Sequence, residues 1–123
     1  MTEVHTQEDA DMEKDCEFCN VTAIIRGDAL EKVEQQLHGI GVNGISVMRV
    51  KGYGEYANFY SPEGLTSHVR VEIFTAARAA ETIAQTIMDA ACSGVPGDGI
   101  VAVQPVDKVY RIRLRAAVEP DAL

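Results

Sequence analysis

The stretch Phe18–Ile40, FCNVTAIIRGDALEKVEQQLHGI, changes its apolar rhythm once, and that change decides the fold. Residues 18–26 are dense in β-branched and apolar side chains and short enough for a buried strand. Gly27 and Asp28 stop it. Asp28 with Glu31 three residues later predicts a capping box, and Leu30, Val33, Leu37 and Ile40 then return at helical spacing. A strand therefore feeds an amphipathic helix that packs one face on a sheet. Gly39 and Gly41 end that helix, and Gly44 opens a second strand over 45–51, where Ile45, Val47 and Arg49 alternate with Ser46, Met48 and Val50.

Moving outward, His68 to Phe74 (HVRVEIF) alternates strictly, as a strand with one wet face does. Residues 76–92 predict a second helix with Ala80, Ile83, Ala84, Ile87 and Ala91 turned inward, and Cys92 packed among them as a small apolar group. A tight loop rich in glycine, 93–99, leads to a fourth strand at 100–103, and 109–114 extends beyond it. The order is βαββαβ with an extra C-terminal strand: an α+β, ferredoxin-like antiparallel sheet with helices on one face. Between the second and third strands lies GYGEYANFYSPEGLT, 52–66, with neither period. So long a connection in a chain of 123 residues predicts a functional loop.

The formal charge of −8 is uneven, because six carboxylates against Lys14 give the first 15 residues −5 and leave −3 for the rest. An acidic stretch with so few large apolar side chains cannot offset its ordering entropy by burial. The expected organisation is a disordered acidic arm at 1–17 carrying a CxxC, one folded domain at 18–115 and a tail at 116–123. No overall basic face exists to neutralise phosphates, so a nucleic-acid partner is not expected. No apolar run nears the ~20 residues that cross a bilayer, and residues 1–15 lack a basic start and an apolar stretch, which predicts a cytoplasmic, non-spanning protein.

Cys16 and Cys19 enclose a single CEFC. One pair supplies two thiolates where a structural zinc needs four ligands, so the pair reads as reduced thiols, a redox-sensitive disulfide, or half of a shared metal site. A ferredoxin-like metal or redox module is the alternative to a ligand sensor. Catalysis has no support: His5, His38 and His68 are scattered and no nucleophile stands beside a base.

Two features point to an anion. Gly94-Val95-Pro96-Gly97-Asp98-Gly99 can expose successive backbone N–H groups, since glycine permits the left-handed angles of a concave nest. A plain turn would use the same residues. Arg111, Arg113 and Arg115 recur at period two, which on an extended strand lines their guanidinium groups along one face about 7 Å apart. Phosphoryl oxygens match such forks, and so does a solvated edge strand that uses charge against aggregation.

AIIRxxxLxxV (Ala23 to Val33), GIGVNGISVMRVKGYG (Gly39 to Gly54), VRVEIF (Val69 to Phe74), SGVPGDGI (Ser93 to Ile100) and VYRIR (Val109 to Arg113) resemble, in this order, the successive blocks of the PII signal-transduction family and its PII-like subgroup. The resemblance implies a homotrimer with adenine-nucleotide sites between subunits and a target-binding loop, the T-loop, here about 52–66. It implies nucleotide contacts at Gly44, Ser46, Gly52, Gly54, Phe74, Gly97, Asp98, Gly99, Arg111 and Arg113, the two arginines reaching phosphate from the neighbouring chain. It implies a regulator, not an enzyme.

The departures from the family pattern refine this. Ile100 stands where a phosphate-gripping lysine is usual, and Glu55 and Tyr56 replace an arginine and a glutamine. A γ-phosphate loses two cations and meets a carboxylate, so ADP or AMP is favoured over ATP. The loop is shorter than in nitrogen-regulatory members and lacks their uridylylation motif. Short-looped relatives are associated with inorganic-carbon uptake, which implies bicarbonate as a co-ligand at Lys51 and Arg115, and a bicarbonate transporter or carboxysome-associated protein as partner.

Overall fold

A computed structural model describes residues 16–50 and 68–123. The order is β1 (Phe18–Arg26), α1 (Leu30–Gly39), β2 (Ser46–Val50), β3 (His68–Ala76), α2 (Ala80–Ala91), β4 (Gly99–Val106), then the two-residue strands β5 (Tyr110–Arg111) and β6 (Ala116–Ala117). β1 to β4 form one antiparallel sheet in the order β2-β3-β1-β4. This is the split arrangement that the sequence predicts, with both helices against one face. Residues 1–15 of the expected arm at 1–17, and the loop at 52–66, lie outside the described residues.

Register explains the core. Val21 stands between Ile73 and Val103, and Ala23 between Val71 and Val101, so odd-numbered positions of neighbouring strands share a face. That face carries Val21, Ala23, Ile25, Val71 and Ile73, which the helices cover with Val33, Leu37, Ile83 and Ile87, all buried. Even-numbered positions form the opposite face, where Thr22 lies opposite Glu72, itself opposite Ser46. Much of it is left open by the described residues: Met48 is 53% exposed, Phe74 46% and Ile100 47%.

The helix entries differ from expectation. Each helix follows a short 3-10 turn, Gly27–Ala29 or Ala77–Ala79, and neither has a side-chain cap. Asp28 lies inside the 3-10 turn, with helical residues on both sides, and so does not take the extended N-cap position that a capping box needs. Of α1's predicted stripe, Val33 and Leu37 are buried while Ile40 follows the helix end and is exposed. In α2, Ala90 is buried in place of Ala91, and Cys92 is exposed beyond the last turn rather than packed within the helix. β4 runs to Val106, longer than its apolar run, because it pairs along nearly all of β1.

The C-terminal segment departs furthest. The predicted strand over 109–114 stops at Arg111; β5 pairs only with β6 in a separate two-stranded ladder. Between them the chain turns, and Arg115 takes a left-handed φ of 51°. Arg111, Arg113 and Arg115 therefore form no period-two row. No helix among the described residues is long and apolar enough to cross a membrane.

Candidate functional site

The first half of the site is a cleft of about 710 Å3 beside the outer end of β2. Gly44 and Ser46 line it from the approach to and start of β2, Glu72 and Phe74 from β3, and Arg111 from β5. Strand pairing fixes three of these: Ser46 faces Glu72 in register, and Phe74 lies two residues further along the same face. The cleft thus offers an aromatic surface, a hydroxyl, a carboxylate and one guanidinium. The C-terminal residues close its rim through Ala122 and Leu123. Arg111 Nη2 donates to the Ala122 carbonyl at 3.1 Å, and Arg78 pairs with Asp121. Arg113, in the exposed turn, does not line this cleft, and neither does Arg115.

The second half is the glycine turn between α2 and β4. Gly94, Gly97 and Gly99 have φ of 80°, 100° and 110°. Gly99 is obligatory for a second reason, since a Cβ there would stand 1.7 Å from the Ile24 carbonyl oxygen. The Asp98 carboxylate gathers the turn. Its Oδ2 accepts from the Ser93 N–H at 2.8 Å and the Gly94 N–H at 3.0 Å, while Oδ1 accepts from the Ser93 hydroxyl and from Arg26 Nε at 3.3 Å. Its pKa is held down to about 2, chiefly by the Ser93 hydroxyl and then by the Ser93 N–H, with partial desolvation opposing and Gly94 and Arg26 adding to the effect.

Arg26 and His68 hold the turn from outside. Arg26 Nη2 donates to the Pro96 carbonyl at 2.6 Å. His68 Nε2 lies 2.8 Å from the Gly97 carbonyl, and since a carbonyl only accepts, Nε2 carries the proton. His68 is buried, and it begins β3 directly after residue 67. Arg26, Ser93 and His68 were not singled out in the sequence for this role. The one available signal is position: Arg26 ends β1, His68 begins β3 and Ser93 opens the glycine-rich turn.

The two halves are separate within one chain. Val50 pairs with His68 and Ser46 with Glu72, so the turn and the cleft lie four residues apart along β3, about 13 Å. Gly44, Ser46, Phe74 and Arg111 gather at one end, and Gly97, Asp98 and Gly99 at the other. Lys51, Gly52 and Gly54 lie outside the described residues. No disulfide joins Cys16 and Cys19, and among the described residues no group of three or more His, Cys, Asp or Glu is placed to hold a metal ion, which disfavours the metal-module alternative.

Comparison with known proteins matches residues 18–116 to the family model described as nitrogen regulatory protein P-II. The P-II homolog of Arabidopsis thaliana is 30% identical over 118 residues, covering 89% of this chain; the chain spans only 60% of that relative's length. The P-II protein of Azospirillum brasilense is 32% identical over 105 residues, 76% of this chain and 89% of the relative. Among solved structures, Arabidopsis thaliana PII bound to citrate superposes with a TM-score of 0.74 at 32% identity, over 85% of this chain and 91% of that one. The matched span runs from the first residue of β1 to the first of β6 and takes in the glycine turn and the cleft residues apart from Ala122 and Leu123, so the chain belongs to the P-II family of nitrogen regulatory proteins.

Proposed function

We propose that this P-II protein is a cytoplasmic homotrimeric sensor that binds an adenine nucleotide between subunits and answers through the 52–66 loop, without turnover. The observation that carries the reading is the separation of the two halves. A cleft with a guanidinium and an aromatic face stands at one end of the sheet, and a turn able to present amides stands at the other. Each is incomplete for a nucleotide, and the cleft of one chain against the turn of the next supplies both. The uncovered sheet face, with Ile24, Met48, Phe74 and Ile100, gives the trimer its apolar contact.

Phe74 and Ser46 would meet the base and ribose, and Arg111, with Arg113 from its turn, the phosphates. Ile100 supports selectivity for ADP or AMP: it follows the turn and is half exposed where family members carry a cation. Bicarbonate, held by Lys51 and Arg115, is the proposed co-ligand, and a bicarbonate transporter or carboxysome-associated protein the proposed target. The two ligands together would order the loop and shift the population of its target-binding form.

Calorimetry with AMP, ADP and ATP, each with and without bicarbonate, tests the reading alongside mass by light scattering. The expected result is a trimer that binds ADP or AMP more tightly than ATP and releases no phosphate over hours. A monomer that binds no nucleotide at millimolar concentration overturns it.

A further inference from the structure

The family resemblance counts Asp98 among the nucleotide contacts, yet its carboxylate is turned onto its own loop and accepts from Ser93, Gly94 and Arg26. A carboxylate is also the wrong charge to face a phosphate. The amides tell a different story. In a trans peptide the C=O and N–H of one unit point opposite ways, and no peptide here is cis. The Pro96 carbonyl is drawn to Arg26 and the Gly97 carbonyl to His68. The N–H groups of those two peptide units belong to Gly97 and Asp98, and both are therefore directed away from the side chains that hold their carbonyls. Two successive N–H groups turned outward in this way are what an anion nest is built from.

We propose that the side chains of Asp98 and Arg26 are positioning groups: they touch no ligand, and by fixing the turn they aim the backbone amides of Gly97 and Asp98 at the phosphoryl group. Arg26 performs two tasks with one rigid fork, Nε on the Asp98 carboxylate and Nη2 on the Pro96 carbonyl, and so sets the peptide plane between Pro96 and Gly97 relative to the carboxylate. Asp98 removes the Ser93 and Gly94 amides from competition for the anion. The inference rests on the nucleotide reading above for the identity of the ligand, and on the turn's own hydrogen bonds for everything else.

The test compares wild type with Asp98→Asn, Arg26→Ala and Arg26→Lys, titrating adenosine and ADP by calorimetry and confirming assembly by light scattering. Adenosine lacks the phosphates, so a fault in amide aim weakens ADP alone. Asp98→Asn and Arg26→Ala are expected to weaken ADP tenfold or more and adenosine less than twofold. Arg26→Lys, which keeps the charge but reaches one acceptor, should fall between. Equal losses for the two ligands, or an unchanged ADP affinity, overturn the proposal. If wild type binds neither, the nucleotide reading fails on its own, and hydrogen exchange of the 93–99 amides decides the positioning claim. Faster exchange in both Asp98→Asn and Arg26→Ala supports it, and unaltered exchange overturns it.

Discussion

The glycine turn and the C-terminal segment both carry residues suited to an anion, and the chain treats them in opposite ways. The turn is fastened on every side: Ser93 from the end of α2, Arg26 from β1 and His68 from β3 all bond into seven residues. The segment from Tyr110 to Ala117 has one two-residue ladder, an exposed turn and Arg111's bond to the tail. A backbone N–H binds only where its peptide plane is held, whereas a guanidinium on a long side chain can seek its ligand. Rigidity belongs with the amides and freedom with the arginines.

That contrast breaks most sharply at Gly99. Gly99→Ala places a Cβ inside the Ile24 carbonyl at a φ of 110°, and is expected to cost more than about 3 kcal/mol in urea unfolding. Gly94→Ala, with nothing within 4 Å but a φ of 80°, should cost only about 1–2 kcal/mol from backbone strain. A similar cost at both positions would mean that strand contact, the source of the difference, has no role.

On the other side, Arg111→Ala is expected to leave unfolding within about 0.5 kcal/mol of wild type, since the residue is exposed. ADP affinity should nevertheless fall tenfold or more, a charge-assisted contact being worth roughly 1.5–3 kcal/mol. Calorimetry and urea melts on the same preparation separate the two. Acid sharpens the contrast further. Asp98 is depressed from 3.8 to about 2 in the fold, so its contribution to stability is complete above 3.8 and is lost as pH falls through about 2. Thermal melts should show this acid loss in wild type and a smaller one in Asp98→Asn. The smallest effect belongs to Arg78→Ala, whose pairing with Asp121 is solvent-exposed on both sides; a change within about 0.5 kcal/mol is expected.

The strands and helices were legible in the sequence because their signals are periodic and local: Val21, Ala23 and Ile25 alternate, and Ile83, Ala84 and Ile87 repeat at helical spacing. The arginine row misled for the same reason. Arg111, Arg113 and Arg115 keep the period of a strand, but among the described residues 112–115 pair with no strand, and Arg115 turns left-handed instead. Period states what a segment would expose if extended, and pairing decides whether it is. Ser46, Phe74 and Arg111 line one cleft of a single chain, which strand register alone could place only for Ser46 and Phe74. The clasp of Arg26, Ser93 and His68 was hidden because its members are 25 or more residues apart and single polar residues carry no spacing to read.

The bond from Arg111 to the Ala122 carbonyl has a bearing on how any affinity at this cleft is to be understood. An anion that takes the Arg111 Nη2 N–H now given to that carbonyl dissolves one contact as it makes another, so the affinity measured would be the net of the two. Deleting residues 120–123 would then tighten binding without adding a single favourable interaction.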